Sequence, residues 1–453
     1  MNIPKEFSFR TRKEDFESAG GTKFDALIIG GGIIGAGVAN LLAQNGVKAL
    51  LVDKGDFASG TSSGSSKLIH GGLRYLAQGR ILLTRDLLKE RNYLMKNTDI
   101  VSRLDFDILM DEYSWKPYTI RLGLLMYNIL GGKFRIPSMK ENDGKYGPGV
   151  KGYFSYFDGM TDDSRLVIYN IVSAHNNGAI CLNYASVTGL RKRGSEIVAD
   201  LEDQINGGKS SVTADAVINC AGPWAEEVMK MYGVENDEKF RLSKGVHIIV
   251  SREDLPVDRA IAFRSHIDKR QMFVIPREEV VIIGTTDEFV DEPDDFSVPD
   301  EDVKYIIDSA RRIFPSLSES MILTAYSGLR PLFGKGDSPG EVSRDFSIKS
   351  TGNFITVFGG KLTDYRSASR NVAEHYSRIS GRKIRTKGLP RIDYRREKTE
   401  NPYSYEIEYE CAITFEDILR RREALSLYSR DLGESEKPRI LESLKEAGLG
   451  DAS

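Results

Sequence analysis

Gly30, Gly32 and Gly35 follow the apolar run Asp25 to Ile29 in the order G-x-G-x-x-G, and glycines at this spacing after a strand bind the phosphates of a dinucleotide. Each has a physical task. Gly30 permits the tight turn, Gly32 lets the backbone approach a pyrophosphate, and Gly35 lets the next helix pack closely on the strand. The N-terminus of that helix adds free amides and the positive end of its dipole. A second apolar run, Ala49 to Val52, ends at Asp53, roughly 20 residues on, where an acid bonds a ribose hydroxyl. Strand, turn, helix, strand and acid make a complete βαβ unit, which a glycine-rich turn in another fold would lack. Directly after it, Ser59 to Leu76 reads SGTSSGSSKLIHGGLRYL. The hydroxyls of Thr61, Ser62, Ser65 and Ser66, carried on small side chains, suit close passage along the pyrophosphate and sugar chain of the cofactor. The run is too short and too well placed to be a flexible serine linker.

The elements that must position these residues can be read from the same chain. Ala26 to Ala43 is uncharged and about long enough for a membrane span, but its three consecutive glycines argue for strand, turn and helix. A helix is expected from about Gly79 to Lys96, and a β-meander from Ser186 to Cys220 that returns to a buried strand before Ala221 and Gly222. GVHIIV, RQMFVIP and EVVIIGTTD predict an antiparallel sheet distinct from the nucleotide unit. FITVF, Gly359, Gly360 and a helix from about Lys361 to Ile379 resume the parallel pattern. The nucleotide domain is therefore assembled from separated stretches, with a sheet domain inserted and a cleft between them.

Composition bounds the function. The chain has 453 residues, enough for two or three domains, with 40% hydrophobic and 28% charged residues. A net charge of -3 and a pI near 6.1 provide no overall basic field for nucleic acid. Cys181, Cys220 and Cys411 lack CxxC spacing and the five histidines form no HExxH, so no metal or disulfide framework is expected. The polar, mixed-charge N-terminus resembles neither a secretory signal nor a transit peptide, which makes cytoplasmic residence the expectation.

GGGIIGAG, GTSSGSSKLIHGGLRYL, NCAGPWA, LSKGVHIIV, IGTTD, YSGLRPL, SRDF and VFGGKLTDYR together resemble the FAD-dependent glycerol-3-phosphate dehydrogenases, in order and spacing, across about residues 24 to 375. The resemblance implies an α/β fold: a Rossmann-like FAD-binding domain of the glutathione reductase or D-amino acid oxidase type, an antiparallel β-sheet substrate domain, and a small C-terminal helical domain. The expected divisions are 22–105, 156–236 and 320–378 for FAD, 106–155 and 237–319 for the sheet, and 379–453 for a shortened C-terminal cap. The implied reaction is oxidation of sn-glycerol 3-phosphate to dihydroxyacetone phosphate by hydride transfer to the flavin, with electrons leaving to a quinone or another acceptor. An oxygen-using oxidase of glycerol 3-phosphate or of a related amine or hydroxy acid is the neighbouring alternative, and a non-catalytic FAD-fold binding protein the non-enzyme one. An NAD-dependent enzyme would leave the serine-rich loop and the later motifs unexplained.

Residue by residue, the resemblance assigns Arg330 and Arg344 to the substrate phosphate, where guanidinium geometry suits a dianion. Arg74 and Tyr75 would reach substrate from the end of the HGGLRYL loop. His247 would take the hydroxyl proton, a task suited to imidazole, with His70 as runner-up. Lys361 would balance charge on the reduced flavin, aided by the helix opening at Gly359 and Gly360. His70, Gly71, Gly72, Val187, Ala221, Gly222 and Leu362 complete the expected FAD contacts. Asn97, Thr98 and Asp99 replace the Ala-Pro-His usual in the family, at a site read as structural. Between Arg382 and Lys398 eight basic residues face two acids, so peripheral contact with anionic membrane on the cytoplasmic face is expected, against a solvated linker as the bland reading. Arg121 to Leu130 reads as a core helix, with an interfacial helix as its alternative. A homo-oligomer is admitted by the resemblance.

Overall fold

Two sheets, one largely parallel and one largely antiparallel, build the computed structural model, which describes residues 4–339, 342, 345–397, 399 and 401–449. The first runs, edge to edge, Ser347–Thr351, Phe354–Phe358, Lys209–Asn219, Lys23–Ile29, Ala49–Val52 and Ile180–Leu182. Its middle strands pair in parallel, with Ile29 opposite both Val52 and Asn219. Continuous apolar runs form such strands because both faces are covered. Glu196–Asp203 and Ala185–Arg193 extend the Lys209–Asn219 strand as the expected antiparallel meander.

The helix Ile33–Ala43 lies between this sheet and the helices Asp163–Asn176 and Tyr365–Ser380. That position explains its lack of charge. Val38, Leu41 and Leu42 are fully buried, each contributing ~1.5–3 kcal/mol. Gly35 is required at its start, since a Cβ there would lie 1.9 Å from the Gly30 carbonyl oxygen. Among the described residues no helix is long and apolar enough to cross a membrane.

The second sheet is ordered Glu288–Val290, Phe240–Ser251, Val280–Gly284, Gln271–Arg277, Ala260–Arg264, Val101–Met110, Gly152–Thr161 and Leu68–Ile69. Ile322–Phe333 lies antiparallel along the other edge of Phe240–Ser251. Val246, Ile248 and Val250 pack with Ile306, Ile307 and Ala310 of the helix Asp300–Arg311. Strand alternation therefore turns Ser243, Gly245 and His247 to the opposite face.

The C-terminal segment is helical, with Pro402–Tyr409, a π-helix Asp417–Arg422 and Lys437–Glu446. It is tied to the cofactor unit by a buried carboxylate. Asp56 accepts from Arg421 Nε (2.6 Å), from Arg422 Nη1 (2.7 Å) and Nη2 (3.0 Å), and from Asn183 Nδ2 (3.0 Å). Burial works against ionisation of this acid, yet the Arg422 and Arg421 guanidiniums hold it well below the usual carboxylate range.

Candidate active site

The glycine turn, Asp53 and the serine loop enclose a cavity of about 560 Å³. Gly30, Gly32, Asp53, Thr61, Ser62, Ser65, Val187, Ala221, Gly222, Gly359, Gly360, Lys361 and Leu362 line it. Gly35 stands behind the turn. Asp53 accepts the Gly31 amide (2.6 Å) and the Gly55 amide (2.9 Å), while burial pushes its carboxyl up to about 6. Ser62 Oγ accepts from the Ile33 amide (2.9 Å) at the helix mouth. Glycine backbone, a helix N-terminus and a half-buried acid in the lining fit a dinucleotide such as FAD.

The serine loop is held from both sides. Asp163 accepts from the Ser65 amide (3.1 Å) and Ser65 Oγ (2.6 Å), and is paired with the buried Lys67 ammonium, which also donates to the Ser63 carbonyl (2.7 Å). Thr61 Oγ1 donates to the Leu329 carbonyl at 2.6 Å. Gly64 lies flat against Gly328, where a Cβ would come within 2.2 Å of the Gly64 oxygen.

Three cross-strand pairs form the facing wall: Ser243 with Arg330, Gly245 with Gly328, and His247 with Tyr326. Arg330 Nη1 donates to Asp287 Oδ1 (3.1 Å) and Nη2 to Thr285 Oγ1 (3.1 Å). The guanidinium crosses the space over Gly245, whose Cβ would fall 2.1 Å from Nη2. His247 is buried, and Nε2 lies 2.8 Å from Ser66 Oγ. Its ring pKa is pushed down to about 3 by burial and by the charges of Arg330 and Lys67, so the imidazole is neutral at neutral pH.

A second cavity, of about 410 Å³, is lined by His70, Gly72, Arg74, Tyr75, Asp158, Arg270, Thr285 and Asp287, and by apolar side chains from Phe106, Ile120, Leu122, Met126 and Phe273. The two cavities adjoin where Lys361 Nζ lies 5.2 Å from the centre of the Tyr75 ring. Lys361 Nζ bonds Asp345 (2.9 Å) and its amide bonds Asp364 (2.8 Å). Although burial opposes it, Asp364 keeps the ammonium charged by raising its pKa.

Sequence and structure differ in several placements. The helix expected to open at Lys361 begins at Tyr365, because the Asp364 carboxylate takes the Lys361 amide and holds residues 361–363 as a turn. His247 and Arg330 are together on one sheet face, but neither lines either of these two cavities; His247 bonds Ser66, and Arg330 bonds Thr285 and Asp287, which line the second cavity. Gly71 is buried, its amide donating to Tyr127 Oη (2.8 Å) and Asp158 Oδ1 (3.2 Å). The His70 amide donates to Thr363 Oγ1 at 3.0 Å. Arg344 lies outside the described residues. Asp287 and Thr285, which received no role from the sequence, belong to the recognisable IGTTD run. Tyr326 shares the strand period of Arg330, four residues on, and that spacing is the signal that would have found it.

The chain matches the family described as FAD dependent oxidoreductase over residues 25–362. It is 36% identical over 376 residues to an aerobic glycerol-3-phosphate dehydrogenase of Staphylococcus haemolyticus, covering 78% of this chain and 66% of the relative. An enzyme of the same name from Staphylococcus epidermidis is 34% identical over 373 residues, covering 78% and 67%. The chain thus spans about two thirds of the length of these curated relatives. A glycerol-3-phosphate dehydrogenase from Bacillus halodurans solved with FAD shares the fold with a TM-score of 0.79 and 23% identity, covering 98% of this chain and 94% of that one.

Proposed function

We propose, since the chain belongs to the FAD-dependent oxidoreductase family and to its glycerol-3-phosphate dehydrogenase branch, that it oxidises sn-glycerol 3-phosphate to dihydroxyacetone phosphate. The observation that carries the reading is the braced Arg330 beside a neutral His247, on a wall whose Thr285 and Asp287 reach the cavity next to the FAD cradle. Bound FAD supplies the hydride acceptor. Gly30, Gly32, Asp53, the serine loop and Gly359 and Gly360 are the residues that would hold it.

Arg74 and Arg330 supply fixed positive charge for the substrate phosphate, and Arg344 is assigned to the same task by its motif. Losing the hydroxyl proton eases removal of the carbinol hydride. His247 accepts that proton at Nε2 through the Ser66 hydroxyl 2.8 Å away, and its depressed pKa keeps the nitrogen free to accept. Lys361 holds a charged ammonium at the junction of the cavities, where it offsets negative charge accumulating on the cofactor side.

A quinone acceptor and contact with anionic membrane complete the reading. Their support comes from the basic stretch and from another surface. Within 382–398, Arg382 pairs with Asp25 and Arg396 with Glu406 at 3.0 Å, Lys383, Arg385, Lys387, Arg391 and Arg395 are exposed, and Lys398 lies outside the described residues. The helix Pro117–Leu130 buries Ile120, Leu124 and Tyr127 and exposes Tyr118, Leu122 and Ile129, next to exposed Phe134 and Ile136. Leu122 also lines the substrate cavity.

Anaerobic titration of the flavin-loaded protein with glycerol 3-phosphate tests the reading. The flavin is expected to bleach; a flavin that stays oxidised overturns it. Reoxidation by quinone, dye and oxygen side by side, with hydrogen peroxide measured, distinguishes dehydrogenase from oxidase.

A further inference from the structure

We propose that Tyr326 is a positioning residue for the reaction, acting through His247, and that Arg420 of the C-terminal π-helix braces it. The inference rests on the role given to His247 above.

The geometry is local and specific. The Tyr326 and His247 rings are stacked, with centres 4.8 Å apart and planes inclined by 11°. Tyr326 Oη donates to the Ser65 carbonyl at 2.9 Å, while the next residue, Ser66, bonds His247 Nε2 at 2.8 Å. One side chain thus fixes both the plane of the imidazole and the loop that carries its hydrogen-bond partner. The Arg420 guanidinium lies 5.2 Å from the centre of the tyrosine ring, and the Lys67 ammonium 5.5 Å. Cations at such distances from a ring face are attracted by its quadrupole. Lys67 is already committed to Asp163 and the Ser63 carbonyl. Arg420 makes no ion pair among the described residues, so the ring is its principal partner.

His247 depends on this neighbour for more than orientation. Facing it are Ser66 from the loop, Tyr326 and the charged Arg330 from one adjacent strand, Gly284 from the other, and the Lys67 and Asp163 pair below the loop. Gly284 leaves no space on its side, since a Cβ there would lie 2.5 Å from His247 Cδ2. Nδ1 is buried and has no hydrogen-bond partner among the described residues. The tyrosine ring therefore covers one face of an imidazole whose low proton affinity comes first from burial. Removing the ring admits water and returns the imidazole toward its ordinary value of about 6.5.

Tyr326→Leu, Tyr326→Phe and Arg420→Met test the assignment. In anaerobic rapid mixing, Tyr326→Leu is expected to slow flavin reduction at least tenfold while the substrate Kd changes less than threefold. Tyr326→Phe, which keeps the ring, is expected to recover most of the rate, with Arg420→Met between the two. A base works when neutral, so the rate falls as pH drops through its midpoint. In Tyr326→Leu that midpoint moves up toward 6.5. Histidine-selective 15N labelling, with His247→Gln for assignment, reads the same shift without turnover. An unchanged His247 titration in Tyr326→Leu overturns the proposal, as does parallel loss of FAD and substrate affinity. A wild-type flavin that glycerol 3-phosphate does not reduce strikes the function reading instead, and the imidazole titration still decides for Tyr326.

Discussion

A guanidinium held by a carboxylate and a hydroxyl binds a phosphate differently from one that is free to turn. Asp287 anchors Arg330 Nη1 and Thr285 anchors Nη2, so much of the ordering of a long side chain is complete before substrate arrives. Asp287→Ala leaves the charge of Arg330 in place but releases its direction. With ~1–3 kcal/mol at stake in such a partner, the Kd for glycerol 3-phosphate is expected to rise about 10- to 100-fold. FAD affinity is expected to stay within about threefold, because Asp287 does not line the cofactor cavity. Spectral titration of the oxidised flavin measures the first and apoprotein reconstitution the second; an unaltered substrate Kd would remove Asp287 from the positioning of Arg330. Arg330 and His247 were legible as candidates because their motifs surround them in sequence. The anchoring by Asp287 was not, since the two residues lie 43 apart and meet only when the segment between the strands Val280–Gly284 and Glu288–Val290 folds against Ile322–Phe333.

At the scale of elements, the serine loop and the sheet meet backbone to backbone at two glycines, beside the hydrogen bonds that Thr61, Ser65 and Ser66 make to Leu329, Tyr326 and His247. Gly328 makes this contact possible, because any Cβ there would sit 2.2 Å from the Gly64 oxygen and 2.8 Å from its carbonyl carbon. Backbone cannot yield as a flexible side chain can, so Gly328→Ala must lift the loop away from the sheet. Thr61, Ser62 and Ser65 move with it, and all three line the cofactor cavity. The expected result is protein that folds but is purified with well under half its FAD, with the Kd for FAD raised at least tenfold. Gly123→Ala, where nothing lies within 4 Å of the added Cβ, should retain full flavin and serves as the comparison. Full flavin in Gly328→Ala would mean that the loop takes its position from its hydrogen bonds to Asp163, Leu329, His247 and Tyr326 and not from this backbone contact. The strands and the βαβ unit were readable from apolar runs and glycine spacing, which report local conformation. The start of the helix at Tyr365 was not, because it depends on whether the Asp364 side chain bonds an amide ahead of it or one behind it.

For the whole molecule, the proposed attraction to an anionic surface must coexist with a net charge of -3. Net charge says nothing about where the charges lie. Leu82, Tyr118 and Phe134 are 67%, 68% and 79% exposed, and Leu122 and Ile136 are also well exposed. Lys116, Arg121, Lys133 and Arg135 are exposed in the same stretch of chain. An apolar helix face with flanking cations is the arrangement that lies in a membrane interface, and Leu122 connects it to the wall of the substrate cavity. The sequence favours a core helix over an interfacial one, which holds for the Ile120, Leu124 and Tyr127 side alone; the opposite side also carries large apolar residues, and pattern cannot tell which of two such faces is covered. Each inserted apolar side chain contributes ~1.5–3 kcal/mol, so Ile129→Ser with Phe134→Ser, neither of which lines the substrate cavity, is expected to weaken partitioning onto anionic vesicles on the order of 100-fold or more. Raising the salt should weaken binding of both proteins through the cations, by ~1 kcal/mol for each charge near the surface, without closing the gap between them. The double variant should still reduce a soluble dye at the parent rate while losing turnover with a quinone held in the vesicles. Equal sedimentation of the two proteins with vesicles at low salt would exclude this face as the contact.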